Sequence, residues 1–139
     1  MRWNVLGTVV LSGILSAGAM SCASQHSDLP QKAMPANATF TGSWLTNFGV
    51  MKITQKDDGT VFGTFDYKTG GQVEGTVTGG VMQFHWIQPG DFQVGRREVS
   101  GHGYLVISDD GTEVEGEWGY ADKYMGGGKW TGHRTEGGH

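Results

Sequence analysis

Val114-Glu115-Gly116-Glu117-Trp118 sets apolar residues and a glycine at alternate positions, with carboxylates between them. A period of two sends successive side chains to opposite faces of a strand. Val114, Gly116 and Trp118 therefore share one face, while Glu113, Glu115 and Glu117 project from the other. The pattern recurs as Val61-Phe62-Gly63-Thr64-Phe65 and as Val73-Glu74-Gly75-Thr76-Val77. In each run a glycine stands mid-strand with no side chain to pack, the mark of a bend or of coiling.

Turn chemistry separates the runs. Lys56-Asp57-Asp58-Gly59 and Asp109-Asp110-Gly111 supply Asp to start a turn and Gly for positive φ, and Thr69-Gly70-Gly71 and Thr78-Gly79-Gly80 do the same. The Asp-Asp-Gly turns lack the alternating acidic ligands and distant Glu of a calcium loop. Helical spacing of apolar residues is absent. The sequence predicts strands at 42–47, 50–55, 60–67, 72–77, 81–88, 99–108, 112–120 and 128–134. These define an all-β fold, an eight-stranded antiparallel up-and-down meander barrel over 40–134. Mid-strand glycines let so small a sheet curl, and closure removes its exposed edges. The shared inner face gives a core of Trp44, Met51, Ile53, Val61, Phe65, Val73, Val77, Met82, Phe84, Trp86, Leu105, Ile107, Val114, Trp118 and Trp130. A barrel of this size is filled by side chains or holds one small ligand.

The barrel is preceded by a leader. Met1 to Asn4 carries one Arg, and the uncharged run to Met20 is too short and Gly-rich for a spanning helix, so 1–21 reads as a signal peptide. The chain's single Cys, Cys22, follows it and excludes an internal disulfide. Ala19-Met20-Ser21-Cys22 resembles a bacterial lipobox, although Ala19 stands where a bulky aliphatic residue is usual. Two outcomes are open: lipidation of Cys22, or ordinary cleavage after Ala19 or Ala23. The lipobox resemblance implies an anchor in the outer membrane, because Ala23 rather than Asp follows the Cys. Residues 22–39 are polar, with Pro30 and Pro35, and read as a flexible tether; 135–139 is a Gly-rich tail. The net charge of −4 becomes −5 once Arg2, the leader's only charge, is removed. An acidic chain without a basic patch excludes nucleic acid as the expected partner.

Gly42-Ser43-Trp44 in the first strand and Trp130-Thr131-Gly132-His133-Arg134 in the last resemble the calycin superfamily of lipocalins and avidins. That resemblance implies that Arg134 packs over Trp44 at the closed end of the barrel, a cation–π contact. The avidin-like pattern extends to Gly49, Met51 and Ile53, to Val61-Phe62-Gly63-Thr64-Phe65, to Phe84-His85-Trp86 and to Trp118. The chain departs from avidins where they hydrogen-bond the biotin ring. Val50, Phe65 and the Gly-rich tail stand in place of the Ser, Tyr and Asn of those proteins. What remains of the site implied by the resemblance is Trp86, Trp118, Trp130, Thr46 or Asn47, Thr64 and the position of Phe65.

No catalytic constellation is present: there is no Gly-x-Ser-x-Gly and no His-Glu-x-x-His, and the only Cys lies at the leader junction. His85 and His102 fall on adjacent strands and read as two surface histidines, with His133 too distant to join them; no metal and no cofactor are expected. Asp66 and Glu74 read as solubilising charges. Two loops, 88–98 and 120–127, carry Phe92, Val94, Arg96 and Arg97, and Tyr120, Tyr124 and Met125. Their side chains either form a binding rim or fold over as a lid. The expected function is that of an exported cell-envelope lipoprotein, non-catalytic, binding a small amphipathic or aromatic ligand in a Trp-lined barrel. The alternative is a structural or protease-inhibitor-like barrel with a filled core, whose two loops dock a protein partner.

Overall fold

The computed structural model describes residues 29–135; the expected signal peptide, Cys22 and the residues from 136 onward lie outside the described residues. Eight antiparallel strands close into a barrel in sequence order: β1 (Gly42–Thr46), β2 (Gly49–Gln55), β3 (Thr60–Phe65), β4 (Gly71–Thr78), β5 (Val81–Gln88), β6 (Val99–Ile107), β7 (Glu113–Tyr120) and β8 (Gly128–Arg134). Closure is made by β1 against β8, where Trp44 pairs with Arg134 and Thr46 with Gly132. The expected strands are all present, with ends shifted by a residue or two. β3 stops at Phe65 because Asp66 turns its carboxylate Oδ1 onto the Val50 N–H, 2.7 Å away, and Lys68 and Gly70 follow with positive φ.

Alternation places the apolar face inside. Along β3, Val61, Gly63 and Phe65 are buried while Thr60, Phe62 and Thr64 are exposed, and along β7 Val114 and Gly116 face in while Glu113 and Glu115 face out. Gly116 shows why glycine is needed there. A Cβ would run into the Tyr104 carbonyl of the neighbouring strand, so only a residue without one lets β6 and β7 coil together this closely.

One end of the barrel is solid. Phe40, Trp44, Met51, Met82, Leu105 and Ile107 have no measurable exposure. Trp44 Nε1 donates to the Phe40 carbonyl at 2.9 Å, and the Arg134 guanidinium lies 4.2 Å from the Trp44 ring centroid, as the resemblance implied. That guanidinium also donates to the carbonyls of Gly111, Thr41 and Thr39. Gly42 makes room for it, since a side chain at this positive φ of 138° would meet the Arg134 side chain.

The tether expectation requires correction where it falls on described residues. Residues 29–39 lie against the barrel. Lys32 Nζ donates to the Ile107 carbonyl at 2.7 Å and pairs with Asp109, and its own carbonyl accepts the Gly80 N–H. Leu29 is buried against Val81 and Tyr104 on the outer wall, and Met34 and Ala38 pack on the core at the closed end. Single apolar residues in a polar stretch anchor this strap, which is why no hydrophobic period announces it.

The Asp-Asp-Gly turns are hairpin turns, as read. Asp110 accepts hydrogen bonds from the Thr112 and Ser108 hydroxyls and from the Thr112 N–H. The Thr112 hydroxyl first, then that of Ser108, holds the Asp110 carboxyl down at about 2. A folded-state value below the unfolded one favours folding only while the group is ionised. The contribution is therefore complete above about pH 4 and fades as the pH falls toward 2. Urea midpoints measured between pH 2 and 5 should fall less steeply for Asp110→Asn than for the wild type; parallel curves would remove Asp110 from the acid response.

Candidate functional site

The opposite end of the barrel is open. It is bounded by the turns after β1, β3, β5 and β7, and it holds a half-open cavity of about 620 Å³. Its walls are aromatic: Phe48, Phe65, Tyr67, Trp86, Trp118, Tyr120 and Trp130. The rings meet edge to face. Trp130 contacts Phe48, Phe65 and Phe84 with centroids 4.9, 5.4 and 5.3 Å away. Trp118 contacts Phe48, Trp86 and Tyr120 at 5.8, 5.7 and 5.0 Å. Edge-to-face pairs are each worth about 0.5–1.5 kcal/mol beyond the area they bury, so the walls are braced rather than loose.

The indole donors of this bowl are treated differently by the fold. Trp86 Nε1 donates to the carbonyls of His102 and Gly119 at 3.1 and 3.2 Å. Trp118 Nε1 and Trp130 Nε1 are buried and have no hydrogen-bond partner among the described residues. A buried donor left unpaired costs about 1–3 kcal/mol. Both nitrogens are closed off as they stand, so an acceptor, whether a water or a ligand oxygen, meets them only when the surrounding side chains shift.

Of the residues expected here from sequence, Trp86, Trp118, Trp130 and Phe65 are brought together. Thr46, Asn47 and Thr64 are not, and each is occupied elsewhere or turned away. Thr46 Oγ1 donates to the Gly49 carbonyl and accepts the Phe48 N–H, closing the first hairpin. The Asn47 amide is bonded to Lys129 and Thr131 of β8. Thr64 points out from the barrel, because it alternates with the buried Phe65.

Phe48, Tyr67, Lys68 and Gln88 complete the bowl and were not singled out from the sequence. Phe48 sits in the first hairpin, where no alternation indicates whether a side chain turns in or out. The two long loops behave differently from each other. Loop 88–98 contributes Arg96 and Arg97 to the cavity, with Arg96 held by backbone bonds to Asp91 in both directions. Loop 120–127 leaves Tyr120 at the rim but folds Tyr124 and Met125 outward, onto the outer wall beside Leu29.

Elsewhere, His85 and His102 lie side by side on neighbouring strands with ring centroids 4.9 Å apart, and His102 Nδ1 is 2.6 Å from the Ala121 carbonyl. No group of three or more metal-ligating side chains occurs among the described residues. A hollow of about 510 Å³ on the outer wall is lined by Glu113, Glu115, Glu117 and Lys129, with Tyr104 its one aromatic residue among the described residues. The two hollows are about equally open, and the bowl at the end of the barrel is the larger and more apolar. In comparison with known proteins, no family model, no curated relative and no solved structure matches this chain.

Proposed function

We propose that this is a calycin-like binding protein of the cell envelope, exported and held to the outer membrane through lipidated Cys22, that takes a small amphipathic or aromatic ligand into the open end of its barrel. The reading rests on one observation: an aromatic bowl of about 620 Å³ whose indole donors at Trp118 and Trp130 lack partners among the described residues. Ligand sites are concave and largely apolar, with a few convergent polar groups. A barrel built only for structure gains nothing from keeping one end open above two unpaired donors. The filled lower half, from Phe40 to Ile107, gives the bowl a rigid floor.

Titration with phenylnaphthylamine, a neutral aromatic amphiphile, tests the reading. Its fluorescence should rise and saturate at one molecule per chain while Trp emission is quenched. Trp118→Ala, at a partly exposed position beside the solid core, should weaken binding about tenfold or more while leaving a cooperative thermal transition. Absence of saturable binding by any member of a panel of aromatic amphiphiles would overturn the reading.

A further inference from the structure

We infer that the open bowl selects planar aromatic anions, such as aromatic carboxylates or sulfonates, over neutral molecules of the same shape. The inference rests on the bowl being a ligand site and adds the charge of the ligand. The charged residues lining the cavity are Lys68, Arg96 and Arg97, and no carboxylate is among them. This is a local reversal, because the chain as a whole carries −4. Asp66, Asp91 and Glu98 belong to the same two turns as these cations but do not line the cavity, and Glu113, Glu115 and Glu117 lie on the outer face of β7.

None of the three cations is in an ion pair among the described residues. Among the described residues the one ion pair is Lys32 with Asp109, at the closed end. Glu98 follows Arg97 directly in sequence but forms no ion pair with either arginine among the described residues, and Asp91 turns its Oδ1 onto the Gln93 N–H at 3.0 Å. Paired backbone bonds with Asp91, 2.7 and 2.8 Å long, fix the Arg96 backbone beside the cavity mouth. Lys68 lies 5.1 Å from the Tyr67 ring centroid, which holds its ammonium over an aromatic wall.

The indole nitrogens of the bowl have the same sense. Indole nitrogens donate and do not accept, and those of Trp118 and Trp130 are without partners among the described residues. The Gln88 amide nitrogen is already donating to the Tyr67 carbonyl. A ligand that matches this lining brings a flat apolar body for the aromatic walls and acceptor oxygens with negative charge for the rim. Guanidinium groups favour planar oxyanions in particular, which they meet with two parallel hydrogen bonds.

A matched pair of probes separates charge from shape: anilinonaphthalene sulfonate and neutral phenylnaphthylamine share the same ring system. At low salt the anion should bind about tenfold more tightly than the neutral probe, a preference of the size that three exposed cations acting together supply. The preference should shrink as salt rises toward 1 M, where screening is nearly complete. In an Arg96→Gln, Arg97→Gln double variant the anion-to-neutral ratio should fall toward one. Salt dependence in the wild type gives an independent answer if the variant does not fold. Saturable binding of both probes with equal affinity would overturn the charge selectivity and leave the ligand site standing. Binding of neither probe would overturn both.

Discussion

Replacing Trp44 with Ala should lower the stability of the barrel by about 4 kcal/mol, the middle of the range for removing a buried aromatic residue. In a domain of about 100 residues that corresponds to a fall in Tm of roughly 15–30 °C. The size of the effect follows from what meets at this side chain. Trp44 is fully buried, its indole N–H occupies the Phe40 carbonyl, and its ring supports the Arg134 guanidinium at 4.2 Å. Truncation leaves a cavity at the closed end, an unpaired Phe40 carbonyl and a guanidinium without its aromatic face.

Arg134 ties three segments together through the carbonyls of Gly111, Thr41 and Thr39, and burial pulls its pKa down from the usual arginine value. Arg134→Lys should therefore recover little of what Arg134→Ala loses, because one ammonium cannot reproduce the planar fork. In a double-mutant cycle, Trp44→Ala and Arg134→Ala should cost less together than the sum of their separate effects. Chemical denaturation measures all of these, and a Trp44→Ala loss below about 1 kcal/mol would show that the closed end is not what holds the barrel shut.

Gly116→Val should be nearly as damaging, at about 3 kcal/mol or more. Gly116 is buried in β7 between Leu105 of β6 and Trp130 of β8, and a Cβ there collides with the Tyr104 carbonyl. A side chain can be accommodated only by spreading β6 from β7, which loosens the barrel at mid-height. Gly95→Ala is the control. Its φ of 73° strains any side chain, but nothing lies within 4 Å of the added atom. Its expected cost is that of the backbone alone, about 1 kcal/mol. Equal losses at the two positions would mean that close strand approach is not the reason for the mid-strand glycine.

Much of the fold was legible because a period of two is hard to mimic. The β7 run of Glu113, Glu115 and Glu117 against Val114, Gly116 and Trp118 fixed both faces of its strand, and the structure keeps that assignment. The 29–39 strap was hidden for the opposite reason: Leu29, Lys32 and Met34 act singly, and their partners Val81, Ile107 and Asp109 are distant in sequence.

The site was half legible. Trp86, Trp118, Trp130 and Phe65 could be found because strand alternation points them inward. Thr64 could have been excluded by the same rule, since it neighbours Phe65 and must face the other way. Thr46 and Asn47 came with the avidin-like resemblance, and the first hairpin uses both to fix its own turn. Phe48, Tyr67 and Lys68 lie in turns, where side-chain direction depends on φ values and tertiary bonds rather than on a repeating pattern.

The proposed ligand site is tested most directly at its indole nitrogens, read one by one from the Nε1–H resonances of a ¹⁵N-labelled protein. Trp118 and Trp130 have no acceptor among the described residues, whereas Trp44 and Trp86 already donate to backbone carbonyls. On titration with a planar aromatic anion, the Trp118 and Trp130 resonances should shift progressively and saturate, with Trp44 unchanged. Shifts spread evenly over all the indoles, or none at Trp118 and Trp130 at saturating ligand, would contradict a site at the open end of the barrel.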